Sequence, residues 1–308
     1  MAFCSPIGEK NFEKDNTCFS QAALNRLVKI WNDLYPTNKI QGGSKKSKRE
    51  LWKELNKRMS SHCNGSGKEY CWVDKLHGAK KDPEIARSLR PVKPSEWYKK
   101  PNAWLSNYDI EAVMEQYQED DSFKYQFLGV YPIDFEGKDS FGECLFKEIC
   151  NLHIAKLYDN GIRYLGLITN LDKHDQSGSH WTSLFACIDP EKPCFGAYYY
   201  DSVSREPPPE IDAFMKKLQS QAKIIAAKKK IDKEFKLDYN ENRHQYGNNE
   251  CGVFSMAYQI RWLDKLKKNP NMTFAQIEKF KTNDEKIHKL RNELFRPNET
   301  AIKTALKN

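Results

Sequence analysis

Apolar residues recur at helical spacing from Ala23 to Leu34. Ala23, Leu24, Leu27, Val28, Trp31 and Leu34 form one stripe, with Ser20 ahead as N-cap and Pro36 behind. Leu51, Trp52, Leu55 and Met59 repeat the spacing. Asp82-Pro83 opens a third, short helix with an N-cap carboxylate and a proline at the first helical position. Gln41-Gly42-Gly43-Ser44 reads as a flexible loop between the first two helices. Pro91, Pro94 and Pro101 then exclude a regular helix and mark a join near 91–104. Trp97 and Trp104 argue that this join is packed down.

Beyond the join the period changes. Ile110, Val113, Met114 and Tyr117 predict a helix over 107–117, and 127–135 and 164–170 read as strands. Two further strands, 181–188 and 195–200, flank Asp189-Pro190-Glu191-Lys192-Pro193, a turn of hairpin length. Pro207-Pro208-Pro209 precedes a helix through Lys230, and 235–239 reads as another strand. Val253, Phe254, Ala257, Ile260 and Leu263 place a helix over 251–266. No internal repeat is present. The pattern predicts an α+β protein with an N-terminal helical arm at 1–105 and a core at 106–308.

Composition supports a folded chain: 308 residues include 16 Phe, 15 Tyr and 7 Trp, whereas disordered chains are poor in aromatics. No apolar run is long enough for a membrane span, so no membrane partner is expected. Met1 to Pro6 lacks the basic and apolar regions of a secretory signal. Accordingly the nine cysteines are expected as reduced thiols, Cys144 and Cys150 among them as helix core residues. Cys187 and Cys194, at the two ends of the hairpin turn, are expected to face one another without bonding. His62, Cys63, Cys71 and His77 have spacings too irregular for a zinc site, and no metal or organic cofactor is expected.

Charge is uneven. Residues 1–105 hold 21 basic against 11 acidic residues, and the remainder 29 against 31. The densest stretch, Lys45 to Arg58, carries seven basic residues with Glu50 and Glu54 among them. It reads either as a solvated helix face with helically spaced ion pairs or as an attractant for nucleic acid or an acidic protein surface.

Four segments bear chemistry in a fixed order: Ser179-His180-Trp181, Tyr200-Asp201-Ser202, His244-Gln245 and Glu250-Cys251-Gly252. Cys251 falls where a helix begins, and free N–H groups at a helix start favour a thiolate. His180, at a strand start, is placed to accept the thiol proton and return it to a leaving amine. Asp201, ending the neighbouring strand, would fix the imidazole's tautomer and stabilise its cation. Gln245, six residues before the thiol, can donate an amide N–H to a developing oxyanion. Taken singly, each residue has an ordinary structural explanation. It is the order and spacing together that carry specificity.

This His-Trp … Asp … Gln-x5-Cys-Gly order resembles the adenain and SUMO-protease superfamily of cysteine peptidases, which runs His, Asp or Asn, Gln, Cys. Within it, the chain is most similar to the polyprotein-processing proteases of large cytoplasmic DNA viruses, of the African swine fever virus type. The likeness is strongest over 179–252, reaches forward to Asn170, and returns at Asn283 to Arg296 as a closing helix. It implies a papain-like, SUMO-protease-like core, with Cys251 as nucleophile, His180 as base, Asp201 as its partner and Gln245 as oxyanion donor. The swine-fever-type enzyme has asparagine where Asp201 stands; a carboxylate there should make the imidazole more basic. Asn170 and Trp181 occupy positions that line the family's narrow channel for C-terminal glycines. Cleavage after Gly-Gly is thereby implied, as is a protein substrate: a viral structural polyprotein or, alternatively, a SUMO- or ubiquitin-like conjugate. The resemblance also implies residence in the host cytoplasm and the virion. Acetyl transfer by the same catalytic order is a further rival, and a non-enzymatic basic docking module is the rival from another class. Gly42-Gly43 has the form of a family cleavage site as well as of a plain loop.

Overall fold

A computed structural model describes residues 3–279 and 281–305. Two compact units emerge: residues up to Ala103 together with those from Arg291 onward, and Trp104–Leu290. The expected division at 105/106 therefore shifts by two residues, and the tail belongs to the arm unit and not to the core as expected. The cause is local packing. Arg291 stacks its guanidinium 4.0 Å from the Trp97 ring centre, Phe295 meets Trp97 edge-on, and Arg296 pairs with the buried Asp74 at 2.9 Å. A backbone bridge between Val92 and Arg296 completes the attachment.

In the arm unit, helices Gln21–Leu34 and Lys48–His62 form where their apolar stripes predict them. Ser20 caps the first through the Ala23 N–H, and Ser47 with Glu50 makes a capping box on the second. Their inner faces bury Leu24, Leu27, Trp31, Leu51, Leu55 and Met59 around Trp72. Two cysteine pairs expected as free thiols are disulfides here, Cys4–Cys18 and Cys63–Cys71. Each links segments whose Cα atoms already lie 5.1 and 5.8 Å apart, within bonding range. Gly42, at φ +67° in the left-handed region, is exposed and opens a short 3-10 turn at Gly43–Lys45.

The second unit is built on a five-stranded mixed sheet, in sequence order: β1 (Tyr125–Pro132), β2 (Tyr164–Asn170), β3 (Trp181–Cys187), β4 (Gly196–Tyr200) and β5 (Lys236–Tyr239). The outer pairs are parallel and the two inner pairs antiparallel. The three middle strands are almost wholly buried, which is why they read as continuous apolar runs and not as alternating ones. One face buries Leu165, Leu167, Leu184, Ala186 and Tyr199 with the Pro209–Lys228 helix. The other receives the Cys251–Lys268 helix, whose Trp262 stacks on Phe185 at 4.6 Å and Tyr198 at 5.0 Å, with Tyr258 on Tyr200 at 4.4 Å. These ring pairs contribute beyond their buried area, about 1 kcal/mol each. They hold the helix at one angle to the sheet. β1 begins two residues earlier than expected and carries a bulge between Phe127 and Gly129, the glycine at φ +120°. The helix expected around Cys144 and Cys150 is only Lys147–Cys150, and these two cysteines are joined by a third disulfide. Among the described residues no helix is long and apolar enough to cross a membrane.

Candidate active site

Register brings the site together. β3 and β4 are antiparallel with Ser183 opposite Tyr200, so the residues just before β3 lie beside those just after β4. His180 and Asp201 occupy those two positions, and His180 Nε2 meets Asp201 Oδ1 at 2.6 Å. Asp201 is fully buried. Its backbone N–H donates to Asn240 Oδ1 at 2.8 Å, its carbonyl accepts from Asn240 Nδ2 at 2.8 Å, and Oδ1 also accepts from the Val203 N–H. Its other oxygen, Oδ2, has no hydrogen-bond partner among the described residues. A buried carboxylate so sparsely solvated directs most of its charge to the imidazole.

Cys251 is the first residue of the 18-residue helix over Cys251–Lys268 and is buried. One turn on, Ser255 Oγ donates to the Trp181 carbonyl at 3.1 Å, tying the helix start to the start of β3. The Cys251 thiol is among the groups that act on the His180 imidazole. With Nε2 engaged by Asp201, Nδ1 is the nitrogen left for the sulfur. Burial by itself would lower the His180 pKa, but Asp201 and Cys251 more than offset it and raise it to about 9.

Gln245 is buried, with its Oε1 accepting from Ser202 Oγ at 2.6 Å and its Nε2 donating to the Gly247 carbonyl at 2.8 Å. That orients the amide and leaves its second N–H for another acceptor. Trp181 donates its indole N–H to the Leu105 carbonyl at 3.1 Å. A Cβ added to Gly252 would lie 2.8 Å from Leu105 Cδ1 and 3.2 Å from Trp181 Cδ1, so a side chain after Cys251 would require Leu105 to shift. Asn170 pairs with Trp181 across the sheet and accepts the Asp172 and Ser179 N–H groups, both at 3.0 Å. Asn170 and Trp181 line one groove of about 510 Å³, with Trp104, Tyr131, Phe146 and His174 among its other walls.

All six residues singled out in the sequence therefore lie at the end of the sheet where β2 finishes and β3 begins. Sequence reasoning missed Leu105, Asn240 and Ser255, and gave Ser202 no role of its own. Of these, only Ser255 had a legible signal, four residues after Cys251 on the same helical face. Cys63 and Cys71, weighed as zinc ligands, bond to each other. Cys187 and Cys194 are unbonded and buried, and burial is the largest cause that pushes the Cys187 thiol up. In the arm's basic stretch, Lys46 and Arg58 pair with Glu54 and Lys48 pairs with Asp15, which favours the solvated-face reading for those three.

No family model matches the chain. A putative thiol protease of Acanthamoeba polyphaga mimivirus is 29% identical over 299 residues, covering 90% of this chain and 91% of that protein. A SUMO-1 cysteine protease of African swine fever virus is 24% identical over 273 residues, covering 84% and 93%. Among solved structures, the African swine fever virus protease superposes with a TM-score of 0.61 at 20% identity, over 84% of this chain and 94% of that one.

Proposed function

We propose that this chain, a cysteine peptidase of the adenain and SUMO-protease superfamily, cuts protein substrates after paired glycines. The observation that carries the reading is the crowding at Gly252, next to Cys251 in the chain, where an added Cβ would lie 3.2 Å from Trp181 Cδ1. A peptide entering under an indole fits best where it has no side chains of its own.

The steps follow from the residues. Cys251 Sγ attacks the carbonyl carbon of the second glycine, and the oxyanion takes the free N–H of Gln245 and N–H groups at the helix start. The His180 imidazolium, held by Asp201, gives its proton to the amine as the C–N bond breaks, leaving a thioester on Cys251. Neutral His180 then takes a proton from water, whose oxygen attacks the thioester. Release of the carboxylate restores the thiolate–imidazolium pair.

The biological substrates in this reading are viral structural polyproteins cut during particle assembly in the host cytoplasm, since the relatives found are viral proteases. The test is incubation with a Gly-Gly-Xaa peptide, its Gly-Ala-Xaa counterpart, a SUMO–fluorophore conjugate and acetyl-CoA, with Cys251→Ala as control. Cleavage of the first peptide and not the second, abolished in the variant, is expected. Preference for the modifier conjugate would move the assignment to deconjugation. Acetyl transfer without hydrolysis would sink the peptidase reading. Retained activity in Cys251→Ala would transfer the nucleophile's role to another thiol.

A further inference from the structure

At the opposite end of β2 from Asn170, a second cavity of about 480 Å³ opens beside Tyr164. The two ends of this strand are roughly 20 Å apart at about 3.3 Å per residue. Five cationic side chains line the cavity: Lys124, Arg163, Lys192, Lys229 and Lys267. The only acidic lining residues are Asp189 and Glu191, and both are engaged. Asp189 meets Arg163 at 3.4 Å, and Glu191 meets Lys229 at 3.7 Å. Lys124, Lys192 and Lys267 have no carboxylate partner among the described residues.

The placement of these cations is set by the backbone. The Lys124 carbonyl accepts the N–H groups of Arg163 and Tyr164 at 2.8 and 3.1 Å, and Lys192 sits in the β3–β4 turn with its N–H on the Asp189 carbonyl. Lys229 and Lys267 lie at helix C-terminal ends, where a cation is favoured by the helix dipole alone. Lys124 ends only the single 3-10 turn Asp121–Phe123, and Lys192 lies in a turn, so neither has a long helix dipole to favour it. Like charges gathered around one concavity repel one another, and a multivalent anion relieves that repulsion. The buried Phe123 and Tyr158 rings form apolar floor, with Lys267 4.8 Å from the first ring centre and Arg163 4.0 Å from the second.

We propose that this cavity binds a compact oligophosphate, an inorganic triphosphate chain or the triphosphate of a nucleotide, through Lys124, Lys192 and Lys267. Its volume suits a small molecule, and lysine ammonium groups serve phosphate as point charges. An acidic peptide is the competing occupant, but it would spread beyond a cavity of about 480 Å³.

Titration calorimetry of the full chain with tripolyphosphate, ATP, orthophosphate and an aspartate-rich peptide tests this. Saturable binding of tripolyphosphate is expected, weakening with salt, with orthophosphate weaker because one phosphate reaches fewer ammonium groups. The triple variant Lys124→Gln/Lys192→Gln/Lys267→Gln should bind about tenfold more weakly or worse, while unfolding at the same temperature as the parent without ligand. Similar affinity for ATP would identify the phosphate chain alone as the determinant; tighter ATP would add recognition of the nucleoside. No saturable binding, undiminished binding by the triple variant, or tighter binding of the peptide would overturn the proposal.

Discussion

Asp284 and His288 stand one turn apart on the helix Asp284–Leu294 and hold the two ends of the segment leading into Cys251. Asp284 Oδ2 accepts the N–H groups of Tyr246 and Gly247 at 3.0 and 3.3 Å, and His288 Nδ1 meets Glu250 Oε1 at 2.8 Å. Because the Gly247 carbonyl is the acceptor for the Gln245 amide, Asp284 fixes Gln245, the proposed oxyanion donor, at one remove. Asp284→Ala should lower kcat about tenfold with little change in KM, since the donor's aim is lost and substrate contacts are not. Asp284→Asn keeps an accepting oxygen and should restore most of the rate. Equal kcat in parent and alanine variant would make the contact structural only.

The raised His180 pKa gives a pH profile. Its folded value, about 9, stands above the ordinary 6.5, so the charged imidazole is kept across neutral pH. The stability it contributes is fully present below the unfolded value and is lost as pH rises through about 9. In the proposed mechanism the His180 imidazolium supplies the proton for the leaving amine, and it is lost over the same limb, so kcat/KM should fall on the alkaline side near pH 9. Asp201→Asn removes the carboxylate's upward pull and should move that limb toward neutrality. A limb that stays put in the variant would detach it from this pair.

Rates should separate the two roles of Asp201. Asp201→Ala is expected to cost about a hundredfold or more, having lost both the imidazole's orientation and its charge stabilisation. Asp201→Asn retains a hydrogen-bonding oxygen and should be milder. Equal losses would mean that charge, and not orientation, is what the site requires; parental rates in both would remove Asp201 from the machinery.

Gly252 tests the narrow approach. In Gly252→Ala the new methyl would press on Leu105 Cδ1 and Trp181 Cδ1, and the leucine can turn aside more easily than the hydrogen-bonded indole. KM for a Gly-Gly peptide should rise several-fold, to about tenfold, while the unfolding temperature changes by only a few degrees. A large drop in unfolding temperature with unchanged KM would assign Gly252 to packing alone.

Much of this protein is determined by sequence pattern acting locally. The stripe from Ala23 to Leu34 with its Ser20 cap, the buried run of β2 at Tyr164–Asn170, and the start of the helix at Cys251 all form where the sequence pattern puts them. Such features depend on neighbours within a few residues, so they survive as readable signals. The candidate site was legible because His180 and Asp201 each adjoin a strand boundary, and antiparallel pairing does the rest. What only tertiary structure decided is of another kind. The pairing of six cysteines, the adherence of the tail to Trp97 and Asp74, and the grip of Asp284 on the loop before Cys251 join residues distant in sequence or differently paired than local pattern implies. Each depends on where packed elements bring side chains in space, and no local period encodes that.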